Sequence, residues 1–168
     1  MHHIDVVNTD QPNLLECEFV FNLRNKEYPS TISFKNKYEA HSYISSLKKA
    51  RHLFLKKHDR LIGWAYTALR DGETWFAIIV SSEFQGSGLG SLLLTELKKI
   101  NEELYGWVVE DNIYIKGDGN VYKSPLAFYL KNGFTKDNVT NETPILKTTR
   151  ISWKKTEGKL IFDHNNVV

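Results

Sequence analysis

The residues best suited to chemistry lie in the stretch WFAIIVSSEFQGSGLGSLLL, from Trp75 to Leu94. Its apolar start, Trp75 to Val80, reads as a buried strand. Its end begins a run in which Leu89, Leu92, Leu93, Leu97, Ile100 and Leu104 recur at spacings of three and four, which predicts a helix with one apolar face. Between them stands Gln85-Gly86-Ser87-Gly88-Leu89-Gly90. The first N–H groups of a helix have no internal partner, and the helix dipole adds partial positive charge there. Glycines let a bulky anion approach those donors, so the loop is predicted to cradle a phosphate or pyrophosphate.

Two familiar phosphate loops fit poorly. A nucleoside-triphosphate loop ends in Gly-Lys-Ser/Thr, whereas Gly90 is followed by Ser91 and Leu92. A dinucleotide fingerprint, G-x-G-x-x-G, would put its third glycine at Ser91, and it belongs inside a βαβ unit. The segments before this loop read instead as consecutive strands joined by tight turns.

The run Val80-Ser81-Ser82-Glu83-Phe84-Gln85-Gly86-Ser87-Gly88-Leu89-Gly90 resembles the acyl-CoA signature of the GNAT superfamily of N-acyltransferases, V-x-x-x-x-[QR]-x-x-G-x-[GA], with every specified position filled. Downstream, Ser124-Pro125-Leu126-Ala127-Phe128-Tyr129-Leu130-Lys131-Asn132-Gly133-Phe134 resembles that family's last helix, ending in Y-x-K-x-G-F. The resemblance covers residues 50–135 well and the ends loosely. It implies an N-acetyltransferase that moves an acetyl group from acetyl-CoA to a primary amine by direct attack, on one domain spanning residues 1–168.

The resemblance also assigns roles. Ile78, Ile79 and Val80 would pair with the pantetheine amides in a V-shaped cleft. Gln85, Gly86, Ser87, Gly88, Leu89, Gly90 and Ser91 would hold the pyrophosphate, with Ser124, Phe128 and Lys131 contributing from the last helix. Tyr129 matches the family's general acid, and an ordinary phenol suits protonating a departing thiolate. Glu73 falls where such enzymes often carry a base, and Glu110 and Asp111 are candidates for holding a cationic acceptor. Trp64, Tyr66 and Trp75 are candidates for lining the acceptor pocket. Alternatives from other classes are a non-catalytic acyl-CoA-binding sensor and a protein that uses the glycine loop for another nucleotide cofactor.

The elements that must position these groups read as follows. Residues 16–24 alternate, with Cys17, Phe19, Phe21 and Leu23 on one side, which predicts a half-buried first strand. Thr31 to Phe34 is a short β-prone piece. Asn36 caps a helix carrying Ala40, Tyr43, Ile44 and Leu47 on one face, with Glu39 completing the box. The GNAT pattern has two helices between its first two strands, and the sequence justifies one. Arg51 to Val80 reads as a three-strand meander turning at His58-Asp59 and Asp71-Gly72, with Ile62, Trp64 and Tyr66 sharing a face. Trp107, Val108 and Val109 form a short buried strand. Residues 113–123 are a loop that is either a lid or substrate wall of the site or a surface excursion. Ser124 caps the last helix with Pro125 at its first position, and Gly133 ends it. A late strand alternates around Ile145, Lys147, Thr149 and Ile151, with a further piece at Lys159 to Phe162. The sum is a mixed, mostly antiparallel sheet with helices on both faces, an α/β (α+β) domain.

The totals are consistent with this. The chain has 168 residues, 22 basic against 20 acidic, so neither a nucleic-acid nor a membrane surface is indicated. One cysteine, Cys17, permits no internal disulfide, and the six histidines show no metal spacing, so no metal is predicted. The first residues, MHHIDVVNTDQPN, lack a signal-peptide core and read, like the last ones, as a frayed terminus. A cytoplasmic chain is expected. Homodimers are common in the family, and the strand from Ile145 to Trp153 is a plausible edge for one.

Overall fold

A computed structural model describes residues 3–157. Seven strands form one sheet in the order β1-β2-β3-β4-β5-β7-β6. They are β1 (Ile4–Thr9), β2 (Arg51–Lys57), β3 (Arg60–Arg70), β4 (Glu73–Val80), β5 (Glu103–Val108), β6 (Thr135–Glu142) and β7 (Lys147–Lys154). The helices are α1 (Leu14–Glu27), α2 (Lys37–Ser46), α3 (Leu89–Ile100) and α4 (Leu126–Lys131). Every strand pairing is antiparallel except β4 with β5, which is parallel and joins at a single register position, Trp75 opposite Tyr105.

The sheet is buried on both faces, which is why Leu53, Phe54 and Leu55 are apolar in succession in β2. Leu53 and Leu55 pack with Leu93, Leu94 and Leu97 of α3 and with Tyr129 and Phe134. Phe54, between them, packs the other way, with Trp64, Tyr66, Ile79 and the α1 residues Cys17, Val20 and Leu23. Leu93, Leu94 and Leu97 are essentially without exposure. At ~2 kcal/mol for each fully buried leucine, this face alone anchors α3 and fixes where its first turn lies. Among the described residues no helix is long and apolar enough to cross a membrane.

Several sequence expectations need correction. Residues 16–24 are not a strand but the body of α1, whose buried residues Cys17, Val20, Leu23 and Glu27 follow helical spacing. Asn13 and Glu16 form the capping box that starts it, each side chain bonding the other's backbone N–H at 2.8–2.9 Å. The strand expected there is β1, nearer the terminus. Thr31 to Phe34 overlaps a single 3-10 turn, Ser30–Ile32, instead of forming a strand. Leu104 belongs to β5, because the Asn101 side chain bonds the Leu97 carbonyl and the backbone turns extended at Asn101. Val109 falls just beyond β5. Ile62 leaves the face of Trp64 and Tyr66 for the α3 core, across from a register shift at Leu55/Lys56. β6, polar and exposed, was not anticipated, and it makes β7 an interior strand, so the proposed edge at Ile145 to Trp153 is covered. Lys159 to Phe162 lies outside the described residues.

On the α1 side of the sheet, His52 is 1% exposed and stacks on Trp64, whose indole N–H donates to His52 Nδ1 at 3.2 Å. Desolvation depresses His52 to about 4 from its ordinary 6.5, with Asp10 opposing weakly. A lowered folded value means that the unfolded chain takes up the proton first as pH falls. Its contribution is therefore complete above pH 6.5 and lost on the way to pH 4, about 3 kcal/mol in all. Urea unfolding at pH 7 and pH 4 is expected to show that extra loss in the wild type relative to His52→Phe; equal acid sensitivity in the two would contradict it.

Candidate active site

The site begins with the parting of β4 and β5. Beyond Trp75 and Tyr105 the two strands separate, so the β5-facing edge of β4 runs on to Val80 without a strand partner. Unpaired strand donors and acceptors in a partly dry place require a ligand or water. The opening is a cleft of about 910 Å³, with Ile78, Ile79 and Val80 on one side and Trp107 of β5 on the other. α4 and the loop 113–123 close it.

At the far end of β4 the chain makes a 3-10 turn, Ser82–Phe84, and enters the glycine loop. Gly86 and Gly88 adopt φ of +76° and +84°, a region side chains with a Cβ enter only at ~1–2 kcal/mol. An added Cβ at either would meet no atom within 4 Å, so the loop presents bare backbone to open space. Gly88 is the N-cap of α3, and Gln85, Gly86, Gly88, Gly90 and Ser91 line the cleft. Lys131 and Lys116 line it too. Together these residues fit an acyl-CoA: helix donors and lysines for the phosphates, a strand edge for an amide-bearing arm, and a gap between strands long enough to admit it.

Of the residues expected to hold the cofactor, Ile78, Ile79, Val80, Gln85, Gly86, Gly88, Gly90, Ser91, Phe128 and Lys131 all line this cleft. Gln85 acts indirectly. Its N–H is taken by the Ser82 carbonyl, and its side-chain amide donates to the Val80 carbonyl at 2.8 Å and to Glu27 at 3.3 Å. Ser87 turns its hydroxyl back to the Phe84 carbonyl, and Leu89 packs into the α3 core. Ser124 stays out of the cleft, accepting from the Leu126 N–H at 3.3 Å, while Pro125 serves as the N-cap.

Tyr129 stands where it was expected, lining the cleft from α4 and held edge-on by Phe76, Phe128 and Phe134 at ring distances of 5.1–5.7 Å. Burial, with nearby Tyr122 adding, pushes its phenol far above the ordinary value of 10. Tyr122, half-buried, is pushed up by desolvation to about 12. Both keep their protons throughout the physiological range.

The carboxylates expected to act do not gather here. Glu73 opens β4 opposite Arg70 at the hairpin, and at ~3.3 Å per residue it lies roughly 23 Å along the strand from Val80. It does not line the cleft. Glu110 is bound by Lys136 at 2.6 Å, and Asp111 is exposed beyond the end of β5. A different carboxylate reaches the cleft. Glu27, the last residue of α1, is 4% exposed and accepts from the Ser82 N–H, from Gln85 and from Lys116 at 3.3–3.4 Å. In the helix Glu27 follows Val20 and Leu23 at spacings of seven and four on the buried face, but its partners come from distant segments that spacing does not reveal.

Loop 113–123 is a wall. Pro29 bridges Lys116, the Ser30 N–H donates to the Ile115 carbonyl at 2.8 Å, and Ile115 bridges Val121. Gly117 approaches α1 so closely that a Cβ would fall 1.7 Å from the Asn25 carbonyl oxygen. Tyr122 meets Tyr28 edge-on at 6.3 Å, and both line the cleft. Among the described residues no group of three or more His, Cys, Asp or Glu could hold a metal ion.

The sequence model of the acetyltransferase (GNAT) domain matches residues 48–136, 89 of the 168 in the chain. Solved structures with the same fold include an aminoglycoside 6'-N-acetyltransferase complexed with coenzyme A, 13% identical, covering 89% of this chain and 96% of its own at a TM-score of 0.68. A ribosomal-protein-alanine N-acetyltransferase from Brucella melitensis is 14% identical, with 89% and 99% covered and a TM-score of 0.65. The paia N-acetyltransferase from Thermoplasma acidophilum, in complex with coenzyme A, is 16% identical, with 90% and 99% covered and a TM-score of 0.63. No curated protein matches the sequence.

Substituting Gly88→Glu would set a carboxylate in the open space before α3. Calorimetry is expected to show coenzyme A affinity falling at least ~100-fold, with the fold retained. Undiminished affinity would remove the loop as the phosphate site.

Proposed function

The chain belongs to the GNAT acetyltransferase family and is an acyltransferase, and on that premise we propose that it transfers an acetyl group from acetyl-CoA to a primary amine by direct attack. The observation that carries this reading is one cleft containing an unpaired strand edge, a glycine loop at a helix N-terminus and a buried tyrosine. The named neighbours act on an aminoglycoside and on a ribosomal protein's alanine, which favours an amine as acceptor.

When bound, acetyl-CoA supplies an acyl group already activated as a thioester, so the chain needs no nucleophile of its own. Its first task is positioning. The amides at the start of α3 and Lys131 hold the phosphates, the edge from Ile78 to Val80 aligns the pantetheine arm, and the walls of the cleft bring an amine to it. A strand N–H left free where β4 parts from β5 polarises the carbonyl in this reading.

Tyr129 provides the proton donor on the leaving-group side. With its phenol held so far above a thiol's ordinary ~8.5, complete transfer to a thiolate is uphill, so its main contribution is a hydrogen bond to the sulfur as charge develops. Glu27 is committed to Lys116, Ser82 and Gln85, and Glu73 does not line the cleft, so the amine enters neutral after losing its proton to water. Only a small neutral fraction is needed.

Tyr129→Phe should lower kcat about 100-fold with coenzyme A affinity unchanged, and the wild-type rate should show no loss attributable to phenol ionisation below pH 10. Stopped-flow thiol release across pH measures both. Unaltered kcat in the variant would remove Tyr129 from the chemistry, and binding of acetyl-CoA without turnover of any amine would favour the sensor reading.

A further inference from the structure

Arg24, in the last turn of α1, is a cation without an anion. Its guanidinium lies 4.1 Å from the ring centre of Phe34, 4.9 Å from Tyr43 and 5.8 Å from Tyr28. Its Nε is buried and has no hydrogen-bond partner, and among the described residues no carboxylate pairs with it. The α1 C-terminus offers it only partial negative charge. Tyr28 lines the cleft, so the guanidinium stands beside the wall opposite α4.

The surroundings repeat the pattern. The hydroxyls of Tyr43 and Tyr66 bond each other, which uses one hydrogen of the two and leaves the other to donate. Arg24 and Arg70 both bias the Tyr66 phenol electrostatically. Arg70 lies over Trp75 at 4.9 Å. The Trp75 indole N–H is buried without an acceptor, and its ring stacks at 5.3 Å on Trp107, which lines the cleft. Nearby carboxylates are engaged: Glu27 with Lys116, Asp137 with Arg150, and Glu103 with the Tyr105 hydroxyl. Glu73 stands cross-strand from Arg70 and balances it, which leaves the Arg24 guanidinium, with the two orphan N–H donors on the α1 side, as the positive charge that no carboxylate matches among the described residues. A polycationic amine would be repelled here. An anion would satisfy what is left unsatisfied.

We propose that the acceptor carries a carboxylate as well as its amine, held by Arg24 with the Tyr43–Tyr66 hydroxyl pair, so that the substrate is an amino acid or a close relative. This rests on the acetyl-transfer reading. Arg24 is a specificity residue, gripping the acceptor at a distance from the reacting amine.

The test compares common α-amino acids with their carboxamides, and phosphoethanolamine with ethanolamine, in thiol release from acetyl-CoA by wild type, Arg24→Gln and Arg24→Lys. Wild type should prefer acids over amides. In Arg24→Gln, kcat/KM on acids should fall roughly 10- to 100-fold, mostly through KM, with little change on amides, and Arg24→Lys should recover part of it. A purely structural role would lower both substrate classes alike and would overturn the proposal, as would a preference for neutral amines, polyamines or phosphoethanolamine. Binding separates the two layers. N-acetyl amino acids and their amides are titrated into each protein with coenzyme A present. Selective binding of the acids that depends on Arg24, without turnover of any amine, would uphold the carboxylate site and defeat the acetyl-transfer reading. Turnover with equal affinity for acids and amides would do the reverse.

Discussion

β4 and β5 meet at Trp75 and Tyr105 and then separate, and the rest of the site depends on that separation. A parallel pair that stayed in register would bury its hydrogen bonds in itself. Parting leaves strand donors and acceptors inside the molecule, and each such group costs about 1–3 kcal/mol if nothing satisfies it. The sheet tolerates this because its other pairings are long and antiparallel, and because apolar layers cover both faces, α3 and α4 on one and α1 and α2 on the other. The opening is thus a local cost offset by global packing, and it has the form a chain of amides fits.

Around that opening the sequence places complementary groups from distant parts of the chain. α3 supplies helix donors at its start, and its buried leucines hold that start against the sheet. α4 supplies Tyr129 in an aromatic socket that keeps the phenol protonated. Glu27 ties three segments together: the end of α1, the turn before the glycine loop through Ser82 and Gln85, and the wall loop through Lys116. With side-chain exposures of 3% and 13%, the Glu27–Lys116 pair is desolvated, and removing one partner would strand the other's charge. Its physical consequence is that the glycine-loop end of the cleft and the wall formed by loop 113–123 share a fastening.

The parts legible in the sequence were those with strong local signals. The strand, glycine loop and helix around Gln85 to Gly90 are recognisable because positive-φ glycines and a one-sided leucine pattern have few alternatives. The meander was legible because His58-Asp59 and Asp71-Gly72 mark its turns. α1 was misread because Cys17, Phe19, Phe21 and Leu23 alternate by coincidence, while Asn13, which forms the helix-starting box with Glu16, lay before the window. β6 was hidden by its polarity: an edge strand exposed along nearly all its length carries no apolar alternation. Glu73 and Glu110 were chosen by type and nearness in sequence; the first opens β4 at the hairpin beside Arg70 and does not line the cleft, and the second is ion-paired to Lys136. Glu27, Lys116 and Arg24 depend on which distant segments meet, and spacing alone does not encode that.

The central claim is that this cleft is built for an acyl-CoA. Its most direct test is the melting temperature of the full chain with acetyl-CoA, coenzyme A, NAD and ATP in parallel. A ligand at a hundred times its dissociation constant adds ~2.7 kcal/mol, worth roughly 5 to 10 °C for a chain of this size. The account predicts that shift with acetyl-CoA and coenzyme A and none of comparable size with NAD or ATP. No shift with coenzyme A beside a clear one with NAD or ATP would contradict it.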